Sequence, residues 1–175
     1  MPLKRMFLLL FALLAPAARG LAPAVAAETA SEQALRAALV FNFIKFTEWP
    51  AAAAGDPQLR VCVATSDPAQ IAALEALDER RVRGIPLAAV RFHRQADCGV
   101  IYVDSSQRWN EIAEKRAAGR ALTIGGYPGF VADGGMIEIS LQEGGARFDI
   151  NLLEARRAGL RIYPQLLRLA RRVVE

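Results

Sequence analysis

Apolar and polar positions along this chain fall into blocks of two periods, and the order of the blocks predicts a fold. From Ser31 to about Phe46 the residues Leu35, Leu39, Phe43 and Phe46 recur at intervals of four, four and three. That is the stripe of a helix packed on a core. Ahead of it, Thr29-Ala-Ser-Glu32 has the form of a capping box, in which hydroxyl and carboxylate each satisfy a donor left open at a helix start. Pro50 disfavours helical backbone at Trp49, so the helix must stop just before it, and Ala51 to Pro57 read as a loop. Leu59 to Ala64 is a short strand. Ser66-Asp67-Pro68 then supplies a polar cap and a first-turn proline for a helix over Ala69 to Leu77. Gly84 to Phe92 reads as a second strand and Gly99 to Asp104 as a third. Ser105 or Ser106 caps a helix to about Ala118, and Ala121 to Ile124 is a fourth strand closed by Gly125-Gly126.

Strands separated by helices of this length pair in parallel through crossovers, which predicts a small three-layer, Rossmann-like α/β domain with a mostly parallel central sheet. The runs at 59–64, 100–103 and 121–124 are apolar throughout, as strands buried on both faces are. The pattern then changes. Met136 to Leu141 and Ala146 to Leu152 alternate apolar with polar residues around the turn sequence Gln142-Glu-Gly-Gly145, which predicts an antiparallel hairpin at one edge of the sheet. Leu153 to Ala158 is a short helix stopped by Gly159, and Pro164 opens a terminal helix through Val174. N- and C-terminal helices thus bracket a single domain without repeat or linker.

The beginning of the chain changes where this domain is expected to work. A basic start, Met1-Pro-Leu-Lys-Arg5, precedes the nine-residue apolar run Met6 to Leu14 and then small residues and helix breakers. That is the order of a cleavable secretion signal. A membrane-spanning helix needs roughly 20 apolar residues, and Pro16, Arg19, Gly20 and Pro23 interrupt this run first. Small residues at Ala24-Val-Ala-Ala27 predict a signal over 1–27 and a mature domain over 28–175, of 148 residues. Losing Lys4, Arg5 and Arg19 takes the basic count from 22 to 19 against 18 acidic residues, so the net charge falls from +4 to +1. The basic balance therefore gives no reason to expect a nucleic-acid partner. Cys62 and Cys98, an even pair in an exported protein, favour a disulfide over two unrelated buried thiols. Closing that loop stabilises by about 3 to 4 kcal/mol in the chain-entropy picture.

Little in the chain points to catalysis. His93 is the only histidine and reads as a strand residue. With both cysteines far from it, no metal-ligand spacing is present. No G-x-S-x-G elbow nominates a serine. Gly125-Gly-Tyr-Pro-Gly129 follows a strand, where backbone amides can cradle an anion, yet it lacks the dinucleotide and P-loop spacings; a turn needing positive φ is the simpler reading. No catalytic set, metal or cofactor is expected. Two surface groups remain as candidates for contact with a partner or ligand. One is the aromatic end of the first helix, where Phe46 and Trp49 stand beside a proline. The other is Arg168, Arg171 and Arg172, which share one face of the expected terminal helix. Hot spots favour Trp and Arg. Core packing for the aromatics and a solvated basic face for the arginines are the alternatives.

Three segments carry a resemblance: Ala37-Ala-Leu-Val-Phe-Asn-Phe-Ile-Lys-Phe-Thr-Glu-Trp-Pro50, then Gly134-Gly-Met-Ile-Glu138 with Arg147-Phe-Asp-Ile-Asn-Leu152, then Ala158-Gly-Leu160 with Leu166-Leu-Arg-Leu-Ala170. Together they resemble the YfiR/HmsC family of exported domains, over nearly the whole mature chain. The resemblance implies a periplasmic, non-enzymatic α/β domain that represses a partner diguanylate cyclase of the inner membrane through its periplasmic sensor portion, lowering cyclic di-GMP and disfavouring biofilm. It also implies that Cys62 and Cys98 pair. Some members carry a second cysteine pair near the segment occupied here by Gly129 to Ile139, and this chain has none. A periplasmic small-ligand sensor without a cyclase partner, with its pocket near Trp49, is the alternative reading, and self-association as a homodimer is left open.

Overall fold

A computed structural model of the chain describes residues 24–50, 58–143 and 145–175, with side chains described from residue 32 onward except for 113–118. The expected signal, apart from Ala24 to Ala27, and the expected loop at 51–57 lie outside the described residues.

The first helix, α1, spans Ala24–Lys45. It starts ahead of the predicted capping box, because the alanine-rich stretch before Thr29 has high helix propensity and continues the helix backward. Its buried face carries Gln33, Ala37, Val40, Phe43 and Ile44. The predicted stripe holds only in part: Phe43 is buried, Leu39 and Phe46 are half-buried, and Leu35 is exposed. Apolar residues are nearly continuous from Ala34 to Phe46, so spacing alone leaves the rotation of the helix undetermined. Two-residue strand β1 (Thr47–Glu48) follows at once.

Strand β2 (Leu59–Ala64) leads into α2 (Pro68–Glu75), where the Asp67 side chain accepts from the Ala69 amide and Pro68 occupies the first turn. Then come β3 (Arg81–Val82), β4 (Ile85–Arg91), β5 (Val100–Val103), α3 (Ser106–Ala118) and β6 (Leu122–Gly125). The hairpin is β7 (Ile137–Gln142) and β8 (Gly145–Asn151), with Gln142 opposite Gly145 at its tip. Asn151 caps α4 (Leu152–Arg157), and Gly159, at φ +75°, ends that turn in a conformation glycine adopts freely. Last are β9 (Arg161–Ile162), the single turn α5 (Pro164–Leu167) and β10 (Arg172–Val174).

The main sheet runs β10-β8-β7-β6-β5-β2-β4-β3, parallel from β4 through β7, with β7–β8 and β3–β4 antiparallel. This is the predicted α/β architecture, with two differences. The hairpin is not at the edge, because β10 lies parallel along β8 outside it. The expected terminal helix is therefore one turn long: Val173 and Val174 are β-branched, and β8 otherwise has an open edge that they pair with. A separate two-stranded ladder, β1–β9, has no periodic signature at that length.

The two faces of the sheet carry different cores. Val61, Val63, Val100, Tyr102, Leu122 and Ile124 face α1 and α2, while Cys62, Ala64, Ile101 and Val103 face Trp109 and Ile112 of α3. Phe130 completes the second core, edge-on to Trp109 with ring centroids 4.9 Å apart.

Candidate functional site

The aromatic end of α1 is held by the β1–β9 ladder, in which Thr47 pairs with Ile162 and Glu48 with Arg161. Tyr163 donates its amide to the Phe46 carbonyl, so the end of α1 and the start of α5 are joined. Phe46 is half-buried. Trp49 is half-buried too, and its Nε1 donates to the Gly99 carbonyl at 3.1 Å. It is therefore a partly exposed strut rather than a free surface ring. Beside it, Glu48 accepts from Arg161 and from the Tyr163 hydroxyl at 3.0 Å. The Arg161 bond, then that hydroxyl, hold the Glu48 carboxyl below the ordinary carboxylate range.

The three arginines do not form one helical face. Arg168 follows α5 and is exposed next to Leu169, which is 70% exposed. Arg171 and Arg172 belong to the approach and first residue of β10, and both reach Asp149 of β8. Arg171 makes two bonds of 2.8 Å and Arg172 an ion pair of 3.0 Å. The Asp149 side chain is 1% exposed, and the Arg171 bonds hold its carboxyl below the usual range. Two of the three cations predicted to face a partner are thus committed to seating the last strand.

A third arrangement escaped the sequence reading. From β2 the chain moves through α2 to β4 on one side, whereas β5 leads through α3 to β6 on the other. The carboxyl ends of β2 and β5 therefore flank the switch point where α/β sheets hold ligands. There Thr65 donates to Asp104 at 2.5 Å and Gln33 donates to Asp67 at 3.1 Å, lowering the Asp67 pKa. Ser66-Asp67 and Ser105-Ser106 were legible only as helix caps, Asp104 only as the end of a strand, and Thr65 carried no signal; their pairing needs the strand order. Burial on the α1 side of the same strands pushes the Tyr102 phenol up to about 12, so it stays neutral.

Cys62 and Cys98 form a disulfide, tying the segment before β5 to the middle of β2. His93 lies exposed in the turn after β4, past the strand that was expected to hold it. Among the described residues, no group of three His, Cys, Asp or Glu side chains could hold a metal, and no helix is long and apolar enough to cross a membrane. The Gly125–Gly129 turn does not present open amides throughout: Gly126 donates to Val103.

These features define a three-layer α/β domain with a mostly parallel central sheet. A family model described as YfiR/HmsC-like matches residues 33–171, and the chain belongs to that family, whose members are generally regulators rather than enzymes. No curated protein matches the chain. Among solved structures, a conserved domain protein from Vibrio cholerae is similar at 16% identity and a TM-score of 0.45, over 66% of this chain and 54% of that one. The ABC domain in complex with L-Trp from Streptococcus pneumonia is similar at 11% identity and a TM-score of 0.48, over 67% of this chain and 55% of that one. The chain thus spans about half the length of each, and likeness at this level carries no functional weight.

Proposed function

We propose that this chain is an exported, non-enzymatic regulator that represses an inner-membrane diguanylate cyclase by binding its periplasmic portion, lowering cyclic di-GMP. The observation that carries the reading is the YfiR/HmsC-like match across residues 33–171. The basic and apolar start of the chain and the disulfide support export. A protein on the far side of the membrane from cytoplasmic nucleotides acts on them only through a spanning partner, by binding one of its conformations better than another. The contact groups in this reading are Phe46 and Trp49 with Arg168, and with them Leu169, which is exposed beside Arg168. The test is a clean deletion of the gene in a strain that expresses it. Cyclic di-GMP and surface attachment should rise, and complementation should restore both. If both stay unaltered in the deletion, repression of a cyclase is excluded.

A further inference from the structure

A helix on the surface of a domain ordinarily turns an apolar stripe to the core and charged residues to water. The middle of α1 departs from that rule. Its outward positions are Ala34, Leu35, Ala38 and Asn42, all exposed, flanked by the half-buried Leu39 and Phe41. Asn42 is the one polar side chain among them, and Leu35 is 39% exposed. The charges at the start of this stretch, Glu32 and Arg36, pair with each other. A contiguous apolar strip of this kind marks a surface that something covers.

At the far end of the strip the charge is mostly of one sign. Lys45 closes the helix, and the β3–β4 hairpin with the turn before it brings Arg80, Arg81 and Arg83 beside it, all four exposed. The Arg80 guanidinium lies 3.7 Å from the centroid of the Phe41 ring and Lys45 Nζ 5.9 Å from the same centroid. Arg83 donates to the Lys45 and Thr47 carbonyls, which fixes the hairpin to the end of α1. Asp78 and Glu79 belong to the same turn, and Asp78 accepts from the Ala89 amide. Among the described residues, no carboxylate forms an ion pair with Lys45, Arg80 or Arg81. Ile85, 39% exposed, adds an apolar side chain on the hairpin.

We propose that this face docks on an anionic lipid bilayer, with the outward side chains of α1 and Ile85 against the interface and Lys45, Arg80 and Arg81 at the lipid phosphates. Interfacial helices join an apolar face to cations in this way, and each Lys or Arg held near an anionic leaflet strengthens the attachment. An acidic protein surface meets the cations but gives the charge-free strip no partner. The proposal is independent of the cyclase reading. Docking here leaves Leu169 and Arg168 free for another contact, because the hairpin forms the β3 edge of the sheet and those two residues adjoin β10 at the opposite edge.

The test floats protein from a periplasmic extract with vesicles of phosphatidylglycerol and phosphatidylcholine in equal parts, and with vesicles of phosphatidylcholine alone. The protein should float with the first at low salt and not with the second, and about 0.5 M salt should release it by screening. Lys45→Gln with Arg81→Gln should weaken the attachment by about tenfold or more, and Leu35→Asp should weaken it as well. All three positions are exposed, so the melting temperature should stay unchanged in both variants. Arg168→Glu should bind as the unsubstituted protein does. The proposal is overturned if the protein stays unbound to anionic vesicles at low salt, if the double variant binds undiminished, or if Arg168→Glu is the change that abolishes binding. Retention on polyglutamate as tight as on the anionic vesicles, with Leu35→Asp without effect on either, overturns it in favour of an acidic protein surface.

Discussion

Asp149 and Arg171 meet through two parallel hydrogen bonds, Nε to Oδ1 and Nη2 to Oδ2, each 2.8 Å long. The carboxylate sits on β8 and the guanidinium at the entry to β10, so this pair, with Arg172, ties the last strand to its neighbour. Removing one partner of an ion pair is costly when the charge left behind is buried, by about 3 kcal/mol where it has no other partner. Arg171→Ala, which strips the buried Asp149 carboxylate of both 2.8 Å bonds, should be the most destabilising change at this pair in chemical denaturation, whereas Asp149→Ala leaves two guanidiniums that water can solvate and should cost less. Arg172→Ala, losing the more exposed of the two cations, should cost less.

The same carboxylate gives stability a definite pH dependence. Its folded pKa lies below its unfolded one, so its contribution is fully present above about pH 4 and is lost as pH falls through the folded pKa. Asp67 and Glu48 are shifted in the same direction and add to the acid limb. Melting temperature measured from pH 7 to pH 2 should fall steeply at the acid end, and Asp149→Asn should flatten that fall. An unchanged acid slope in Asp149→Asn would mean that the pair contributes nothing to folding.

Phe130 shows what the sequence could and could not tell. Gly125 and Gly135 flank its ring: a Cβ at Gly125 would lie 2.2 Å from Phe130 Cγ, and one at Gly135 2.1 Å from its Cε1. The sequence reading explained the glycines of 125–129 by turn geometry. That holds for Gly129, at φ +91°, whereas Gly125 is glycine because a ring needs its space. Gly135→Ala and Gly125→Ala should each destabilise by about 1 to 3 kcal/mol, the usual cost of overpacking. Gly129→Ala, with open space around it but a left-handed backbone, should cost about 1 kcal/mol.

The strands with continuous apolar runs were legible because burial on both faces needs no knowledge of neighbours. The fate of residues 164–174 was not. Pro164 and Leu166 do begin a helical turn, but Val173 pairs with Ile150 far back along the chain, and nothing local signals that β8 needs a partner. The candidate contact groups split along the same line. Phe46 and Trp49 stay together because α1 and β1 are continuous in sequence, while Arg171 and Arg172 were separated from Arg168 by the long-range pull of Asp149. The cysteine pair was legible from its number and setting, since a covalent bond depends on few other contacts.

An oxidising compartment sets the condition for that bond. Protein recovered from a periplasmic extract should begin at Glu28 by intact mass and carry the Cys62–Cys98 cross-link in non-reducing peptide maps. Cys62→Ser with Cys98→Ser should lower stability by about 3 to 4 kcal/mol. A mature species that retains Met1, with two alkylatable thiols, would remove the secretory reading.

Trp49 and Leu169 separate folding from partner contact. Because the Trp49 indole holds the Gly99 carbonyl, Trp49→Phe should cost about 1 kcal/mol for the lost hydrogen bond, and Trp49→Ala should cost more as packing is lost as well. Neither change isolates binding. Leu169 does: at 70% exposed it contributes little to the core, and Leu169→Asp should leave stability within about 0.5 kcal/mol of the unsubstituted protein. Exposed beside Arg168, it is an apolar and cationic pair of the kind that carries binding energy at an interface. Cells expressing Leu169→Asp with Arg168→Glu from the native locus should show cyclic di-GMP raised toward the deletion level, at an unchanged periplasmic amount and melting temperature. If the deletion raises cyclic di-GMP and this double variant represses as fully as the unsubstituted protein, the contact lies elsewhere, and Phe46 becomes the next residue to substitute.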